Sequence, residues 1–236
     1  MILSVRNMHS YYGKSHILQG VNLALAPGEM ACLLGRNGVG KSTTLKSIMG
    51  LVEPRQGSIR FKDEDIQGRQ PYEIARRGLG YVPEERRIFK SLTAHENLLI
   101  GIKSPSVGSR GQVWTVDRIF ESFPQLRERR DLKGGYLSGG EQQMLTIART
   151  LMGNPDLILV DEPTEGLAPL VAEAVLEMLA TISATGIAIL LVEQNYKAAL
   201  KLAQGFFIMS KGRIVFQGDG RELVAAEEVR QKYLEV

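Results

Sequence analysis

The chain has 236 residues, 44% of them hydrophobic and 23% charged, with a formal net charge of +3 and a pI near 9.0. This is globular composition, sufficient for one core with an inserted subdomain, and it excludes disorder and collagen-like repeats. The longest apolar runs, such as residues 187–192, fall far short of the roughly 18 residues a membrane span requires. The N-terminus has no basic region leading into an apolar core and a small-residue cleavage site, so no secretion is expected. The single cysteine, Cys32, cannot form an intrachain disulfide, which suits a reducing cytoplasm. The mild positive charge fits either a nucleic acid or acidic membrane partner or an ordinary solvated surface. The basic residues are scattered, and no nucleic-acid partner is expected.

In chain order, residues 2–34 alternate short β-rich runs with turn signals: residues 17–26 read as a strand, Ala26-Pro27-Gly28-Glu29 as a turn and residues 30–34 as a continuous apolar strand. A glycine-rich loop comes next and opens a helix near Lys41, with Gly50 placed to end it. Residues 58–61 and 79–82 are short strands. From about Thr93 to Met152 the period becomes helical, starting with the capping-box sequence Thr93-Ala94-His95-Glu96 and broken by a Gly/Ser/Pro-rich loop over 101–111. Strand signals return at 157–160, 187–192, 206–209 and 213–217. Helical signals stand at 170–181 and 195–202, and a polar helical tail closes the chain. This alternation predicts an α/β fold with parallel strands in its sheet. We expect one domain over 1–236, with a nucleotide-binding core at about 1–83 and 156–236 and an inserted helical subdomain at about 84–155.

Gly35-Arg36-Asn37-Gly38-Val39-Gly40-Lys41-Ser42 fits the pattern G-x-x-x-x-G-K-[ST]. Glycines at 35, 38 and 40 let backbone N–H groups converge on phosphate oxygens, and the positive end of the next helix adds to the attraction. Lys41 reaches β- and γ-phosphates, the Ser42 hydroxyl suits Mg²⁺, and Thr43 continues the cradle into the helix. The motif stands between a buried strand and a helix, the context such a loop needs.

Leu157-Ile158-Leu159-Val160-Asp161-Glu162 places two acids at the C-terminal end of an interior strand, where ligand sites in open α/β sheets lie. With the phosphate loop upstream, Asp161 is the expected second Mg²⁺ ligand and Glu162 the residue that orients or deprotonates water. Without it, the pair would merely cap a strand. Leu137-Ser138-Gly139-Gly140-Glu141-Gln142-Gln143 reads at one level as the capping box Ser138-x-x-Glu141. Two glycines in a first turn cost about 1 kcal/mol each against alanine, so a close approach to the backbone there is expected.

The last heptapeptide, between the phosphate-loop and carboxylate motifs, resembles the signature of the ABC ATPases, and the resemblance spans essentially the whole chain. It implies an ABC cassette with a mixed sheet, an N-terminal antiparallel β part and an inserted helical subdomain. ATP and Mg²⁺ are the implied cofactors. Two cassettes would pack head to tail, with Ser138, Gly139 and Gly140 contacting nucleotide bound to the partner. Tyr12 matches the aromatic residue that stacks on adenine; the alternative is a packing residue at a strand end. Glu84 stands where the family commonly has a metal-touching glutamine; it is either a Mg²⁺ ligand or one of the solvated run Glu84-Glu85-Arg86-Arg87. Gln194 replaces the expected switch histidine. It can donate to a γ-phosphate oxygen but cannot take a proton near neutral pH, leaving base work to Glu162. Ala168 replaces a coupling aspartate.

Val82-Pro83-Glu84, Glu96-Asn97-Leu98, Gly166-Leu167-Ala168-Pro169 and Val192-Glu193-Gln194-Asn195 are similar to the ATP-binding subunits of branched-chain amino acid importers, to which urea and amide cassettes are related. That branch implies a transport ATPase peripheral at the cytoplasmic face of the inner membrane. Its partners would be a second cassette, identical or paralogous, two integral membrane permease subunits and, indirectly, an extracytoplasmic solute-binding protein. The alternatives are an ABC ATPase acting on nucleic acid or the ribosome, or a regulatory nucleotide-binding subunit.

Overall fold

Residues 30–34 and 157–161 are buried at every position. A strand can be so only when both its faces are covered, as in a parallel sheet between two layers. The computed structural model describes residues 1–103 and 113–235, and all counts refer to them. The chain opens with β1 (Leu3–Tyr12), β2 (Ser15–Leu25), β3 (Met30–Leu34), α1 (Lys41–Ile48), β4 (Gln56–Phe61), β5 (Glu64–Asp65), α2 (Pro71–Arg76) and β6 (Leu79–Val82). Four helices come next: α3 (Ala94–Ile100), α4 (Val116–Ser122), α5 (Pro124–Glu128) and α6 (Gly139–Leu151). The remainder is β7 (Leu157–Asp161), α7 (Pro169–Ser183), β8 (Ala188–Glu193), α8 (Tyr196–Ala199), β9 (Gly205–Ser210), β10 (Arg213–Asp219), α9 (Gly220–Ala225) and α10 (Glu227–Tyr233).

β2, β1, β4 and β5 form an antiparallel sheet in that order, and a six-stranded sheet runs β10-β9-β3-β8-β7-β6. Its inner strands are parallel, while β10 closes one edge antiparallel to β9. Alternate residues feed opposite faces. Met30, Cys32, Ile158 and Val160 join a core shared with the helices; Ala31, Leu33, Leu157 and Leu159 join one shared with α1 and the antiparallel sheet. The block α3–α6 leaves from β6 and returns to β7, strands paired from Leu79↔Leu157 to Val82↔Val160. Leu98, Ile119, Leu126 and Leu145 from this block belong to the same apolar cluster as the sheet face. The mixed sheet, the antiparallel N-terminal part and the inserted helices match the expected fold class.

Helix ends obey local chemistry. α1 stops in a Schellman motif, Leu51 N donating to Lys46 O at 2.9 Å and Gly50 N to Ser47 O at 3.2 Å, with Gly50 at φ +73°. Thr93 and Ser138 both close capping boxes, at α3 and α6. Two short elements, β5 and α2, were not predicted, and α8 ends at Ala199, short of the expected 202. The predicted loop over 101–111 lies, from residue 104, outside the described residues.

The two glycines opening α6 have neighbours in their own chain. A Cβ on Gly140 would lie 2.0 Å from Val171 Cγ1 on α7, and one on Gly139 would lie 2.5 Å from Arg86 Nη1. Gly140→Ala is therefore expected to cost about 1–3 kcal/mol by overpacking, and Val171→Ala in the same chain should recover most of it. Denaturant unfolding of the three variants checks this; a Gly140→Ala chain as stable as wild type would show that α6 and α7 are not in tight contact.

Candidate functional site

Three neighbouring parallel strands end at one level, because Leu34 of β3 pairs with Glu193 of β8 and Val192 of β8 pairs with Asp161 of β7. The segments leaving these strand ends therefore meet in space: the phosphate loop, the turn at Gln194 and the carboxylate pair. This is the C-terminal edge of an open α/β sheet, where ligands bind.

The loop needs its glycines. Gly35 adopts φ +153°, and a Cβ there would stand 2.5 Å from Met209 O; Gly40 adopts φ +114°. Gly38, at φ +76°, has no atom within 4 Å of a would-be Cβ and faces open space. Gly40 is also the N-cap of α1, with no side-chain cap and no acid in the first turn. The helix thus presents its positive end, uncapped by any side chain, to the cleft. Arg36 turns away instead, its Nη2 donating to Glu235 O at 2.7 Å. Val39 packs against the core beneath the loop.

Lys41 and Glu162 form a buried ion pair at 3.0 Å, with 3% and 7% of their side chains exposed. Lys41 Nζ also donates to Gly35 O at 2.8 Å and Arg36 O at 3.0 Å. Gln194 Nε2 donates to Glu162 Oε2 at 2.6 Å. Burial raises the Glu162 carboxyl, but hydrogen bonds involving Glu165, Gln194 and Lys41, with the lysine charge, outweigh it and hold the group below its usual range. The shared hydrogen bond with Glu162 pushes Glu165 up to about 6. Glu162 itself sits at φ +43°, in the left-handed region, with its N–H donating to Val192 O at 3.0 Å.

Ser42 Oγ donates to Asp161 Oδ1 at 2.9 Å, and Tyr81 OH donates to Oδ2 at 3.2 Å. Burial raises the Asp161 carboxyl and these two hydrogen bonds oppose the rise. A hydroxyl beside a single carboxylate is an all-oxygen donor set. It fits Mg²⁺, which takes one or two carboxylates plus substrate phosphates and keeps its waters; among the described residues no cluster of three or more His, Cys, Asp or Glu offers a dedicated cage.

A cleft of about 370 Å³ runs over the loop. Of the predicted residues, Tyr12, Asn37, Gly38, Gly40, Lys41, Ser42, Thr43, Glu84 and Glu162 line it. Tyr12, at the end of β1, is 49% exposed, as a platform for a flat ring must be. Ser138, Gly139 and Gly140 do not line this cleft; they sit at the start of α6 beside Arg86 and Val171. Glu165 and Ile17 also line the cleft and were missed, as were Tyr81, Thr164 and Glu193 near it. An acid ending the otherwise apolar β8 was the one available signal for Glu193.

Glycine loop, buried lysine, hydroxyl–carboxylate pair and a second acid together define a phosphate-loop ATPase cassette. The sequence pattern of the family described as ABC transporter matches residues 18–165. The chain is 40% identical over 233 residues to the high-affinity branched-chain amino acid transport ATP-binding protein BraG of Pseudomonas aeruginosa, covering 99% of each. It is 31% identical over 233 residues to the lipopolysaccharide export system ATP-binding protein LptB of Escherichia coli, covering 98% of this chain and 96% of that one. A nucleotide-free ATP-binding cassette from an ABC transporter superposes with a TM-score of 0.83 at 30% identity, covering 99% and 97% of the two chains. The ADP conformation of the cassette MJ1267 gives 0.83 at 29%, covering 98% and 97%.

The chain belongs to the ABC transporter family. It is an ATP-binding transporter subunit that hydrolyses ATP with Mg²⁺, in a family whose cassettes work as dimers with membrane permease subunits. No helix among the described residues is long and apolar enough to cross a membrane.

Proposed function

We propose that this cassette drives an importer of branched-chain amino acids or related small polar solutes from the cytoplasmic face of the inner membrane. It would pair with an identical or paralogous cassette beneath two permease subunits fed by an extracytoplasmic solute-binding protein. The observation that carries this reading is the 40% identity to BraG across 99% of both chains, against 31–32% to LptB proteins. The LptB likeness favours one second reading, a cassette that powers lipopolysaccharide export. The division into a core at about 1–83 and 156–236 and a helical part at 84–155 belongs to the same proposal.

Within the cleft, Lys41 holds the β- and γ-phosphates with the N–H groups of residues 35–40 and the first turn of α1. Ser42 and Asp161 hold Mg²⁺, with Glu84 at the cleft wall as a third oxygen donor. The metal supplies charge neutralisation across the phosphate oxygens. Glu162 orients and deprotonates the attacking water, while Gln194 fixes that carboxylate and donates toward the γ-phosphate. Ser138, Gly139 and Gly140 serve the partner's nucleotide, which accords with their place away from the chain's own cleft.

Co-purification with candidate permeases and solute uptake by the reconstituted complex test the transport reading. ATP-dependent leucine uptake supports it; a complex formed only with membrane subunits of a lipopolysaccharide export system overturns it. Tyr12→Ala is expected to weaken ATP binding by about 1–3 kcal/mol, the usual worth of one stacked base, or roughly 5- to 100-fold. Tyr12→Phe should keep the affinity. Titration with a fluorescent ATP analogue measures this, and an alanine variant that binds it as wild type does would return Tyr12 to a packing role.

A further inference from the structure

Glu193 carries a carboxylate that is 4% exposed at the end of β8, and nothing in the proposed chemistry uses it. By strand alternation it continues the face of Ile189 and Leu191, both wholly buried and both in the core beneath the helices. An apolar side chain would fit there without the desolvation a carboxylate incurs. The charge is compensated by position. Thr164 Oγ1 donates to Glu193 Oε1 at 2.8 Å, Gln194 N donates to Oε2 at 3.2 Å, and the Asn195 backbone adds a further hydrogen bond.

These partners lie on two different turns. Thr164 comes two residues after Glu162 in the turn that leaves β7, closed by Glu165 N donating to Glu162 O at 3.2 Å. Gln194 and Asn195 form the turn after β8, and Asn195 Oδ1 in turn caps α8 by accepting from Ala198 N at 3.2 Å. Glu193 is thus a clamp between the turn that carries the water-activating carboxylate and the turn that carries the glutamine touching it. The Gln194–Glu162 contact of 2.6 Å closes a ring through Glu193 and Thr164. Gln194 is exposed and its side chain has several free torsions, so its aim depends on a fixed backbone.

We propose that Glu193, acting through Thr164 and the Gln194 backbone, is a positioning residue that holds Gln194 and Glu162 in register for hydrolysis. The inference rests on the roles given above to those two residues. Its effect is expected on kcat rather than on ATP affinity, because neither Glu193 nor Thr164 lines the nucleotide cleft.

The test compares Thr164→Val, Thr164→Ser, Glu193→Ala and the Thr164→Val/Glu193→Ala pair in the full chain within its membrane complex. ATP turnover, KM for ATP and the melting temperature are read for each, with Glu162→Gln as reference. Thr164→Val and Glu193→Ala should each lower kcat about 10- to 100-fold, the scale of small misplacements, with KM within about twofold. Thr164→Ser should restore the rate by restoring the hydroxyl, and the double variant should be no slower than the worse single one. An unchanged kcat in Thr164→Val, a loss carried by KM, multiplied losses in the pair, or a melting temperature that falls with no change in kcat would each overturn the clamp. If Glu162→Gln itself keeps full turnover, the assignment of Glu162 fails instead, and the two failures are told apart.

Discussion

Glu162→Gln is expected to lower ATP turnover by about 10²–10⁴-fold, the usual contribution of a positioned general base, while ATP binding persists or tightens. Glutamine keeps the shape of the side chain and an oxygen for Lys41 to donate to, and Lys41 retains Gly35 O and Arg36 O. Gln194 can turn its amide to present oxygen to the new nitrogen, so the local hydrogen bonds survive. The one thing lost is the negative charge. Its removal leaves water unactivated and lessens repulsion of the phosphates, so affinity and turnover should move in opposite directions. Phosphate release and nucleotide titration on the same preparation measure both. Turnover within about threefold of wild type would place the base elsewhere, with Glu165 the next acid in the cleft.

Lys41→Ala should act on both binding and folding. A charge-assisted hydrogen bond is worth about 1.5–3 kcal/mol, so ATP affinity should fall roughly 10- to 100-fold. The free protein should suffer too. Glu162 is buried, and removing its ammonium partner leaves a carboxylate compensated only by neutral groups, a change that commonly costs about 3–5 kcal/mol. Adding Glu162→Gln removes the orphaned charge, so the Lys41→Ala/Glu162→Gln chain should unfold at higher denaturant than Lys41→Ala alone. It should nonetheless bind ATP more weakly than Glu162→Gln. If the double variant is less stable than Lys41→Ala, the ion pair is not what couples these positions.

The parts of the site that can be read in the sequence are the parts made locally. The phosphate loop is eight consecutive residues whose glycines state their backbone requirement, and its strand–loop–helix setting is visible on either side. Asp161 and Glu162 are legible because four aliphatic residues mark an interior strand just before them. That these motifs meet is a consequence of parallel strands presenting their C-terminal ends together. The pairings across long separations were not readable: Ser42 to Asp161 spans 119 residues, and Thr164 to Glu193 spans 29. Nothing in the sequence singled out Glu165, which folding sets beside Glu162. The glycines of α6 announced a close approach correctly, yet the atoms that approach within this chain are those of Arg86 and Val171. The missed elements are short. β5 is a two-residue pairing with β4, and α2 is capped by Gln70, whose side chain is not among the usual caps. α8 stops early because Lys201 and Leu202 donate to the carbonyls three residues back, Ala198 O and Ala199 O, instead of four, tightening the chain before it enters β9.

The left-handed backbone at Glu162, φ +43°, carries a consequence for how this cassette evolves. A non-glycine residue held there stores about 1–3 kcal/mol of strain, which glycine or asparagine would relieve. Losing the acid would, however, leave the buried Lys41 ammonium without its carboxylate, at a cost of about 3–5 kcal/mol, more than the strain relieved. Stability and turnover therefore favour the same residue here, and a population selected only for surviving heat should still retain this acid.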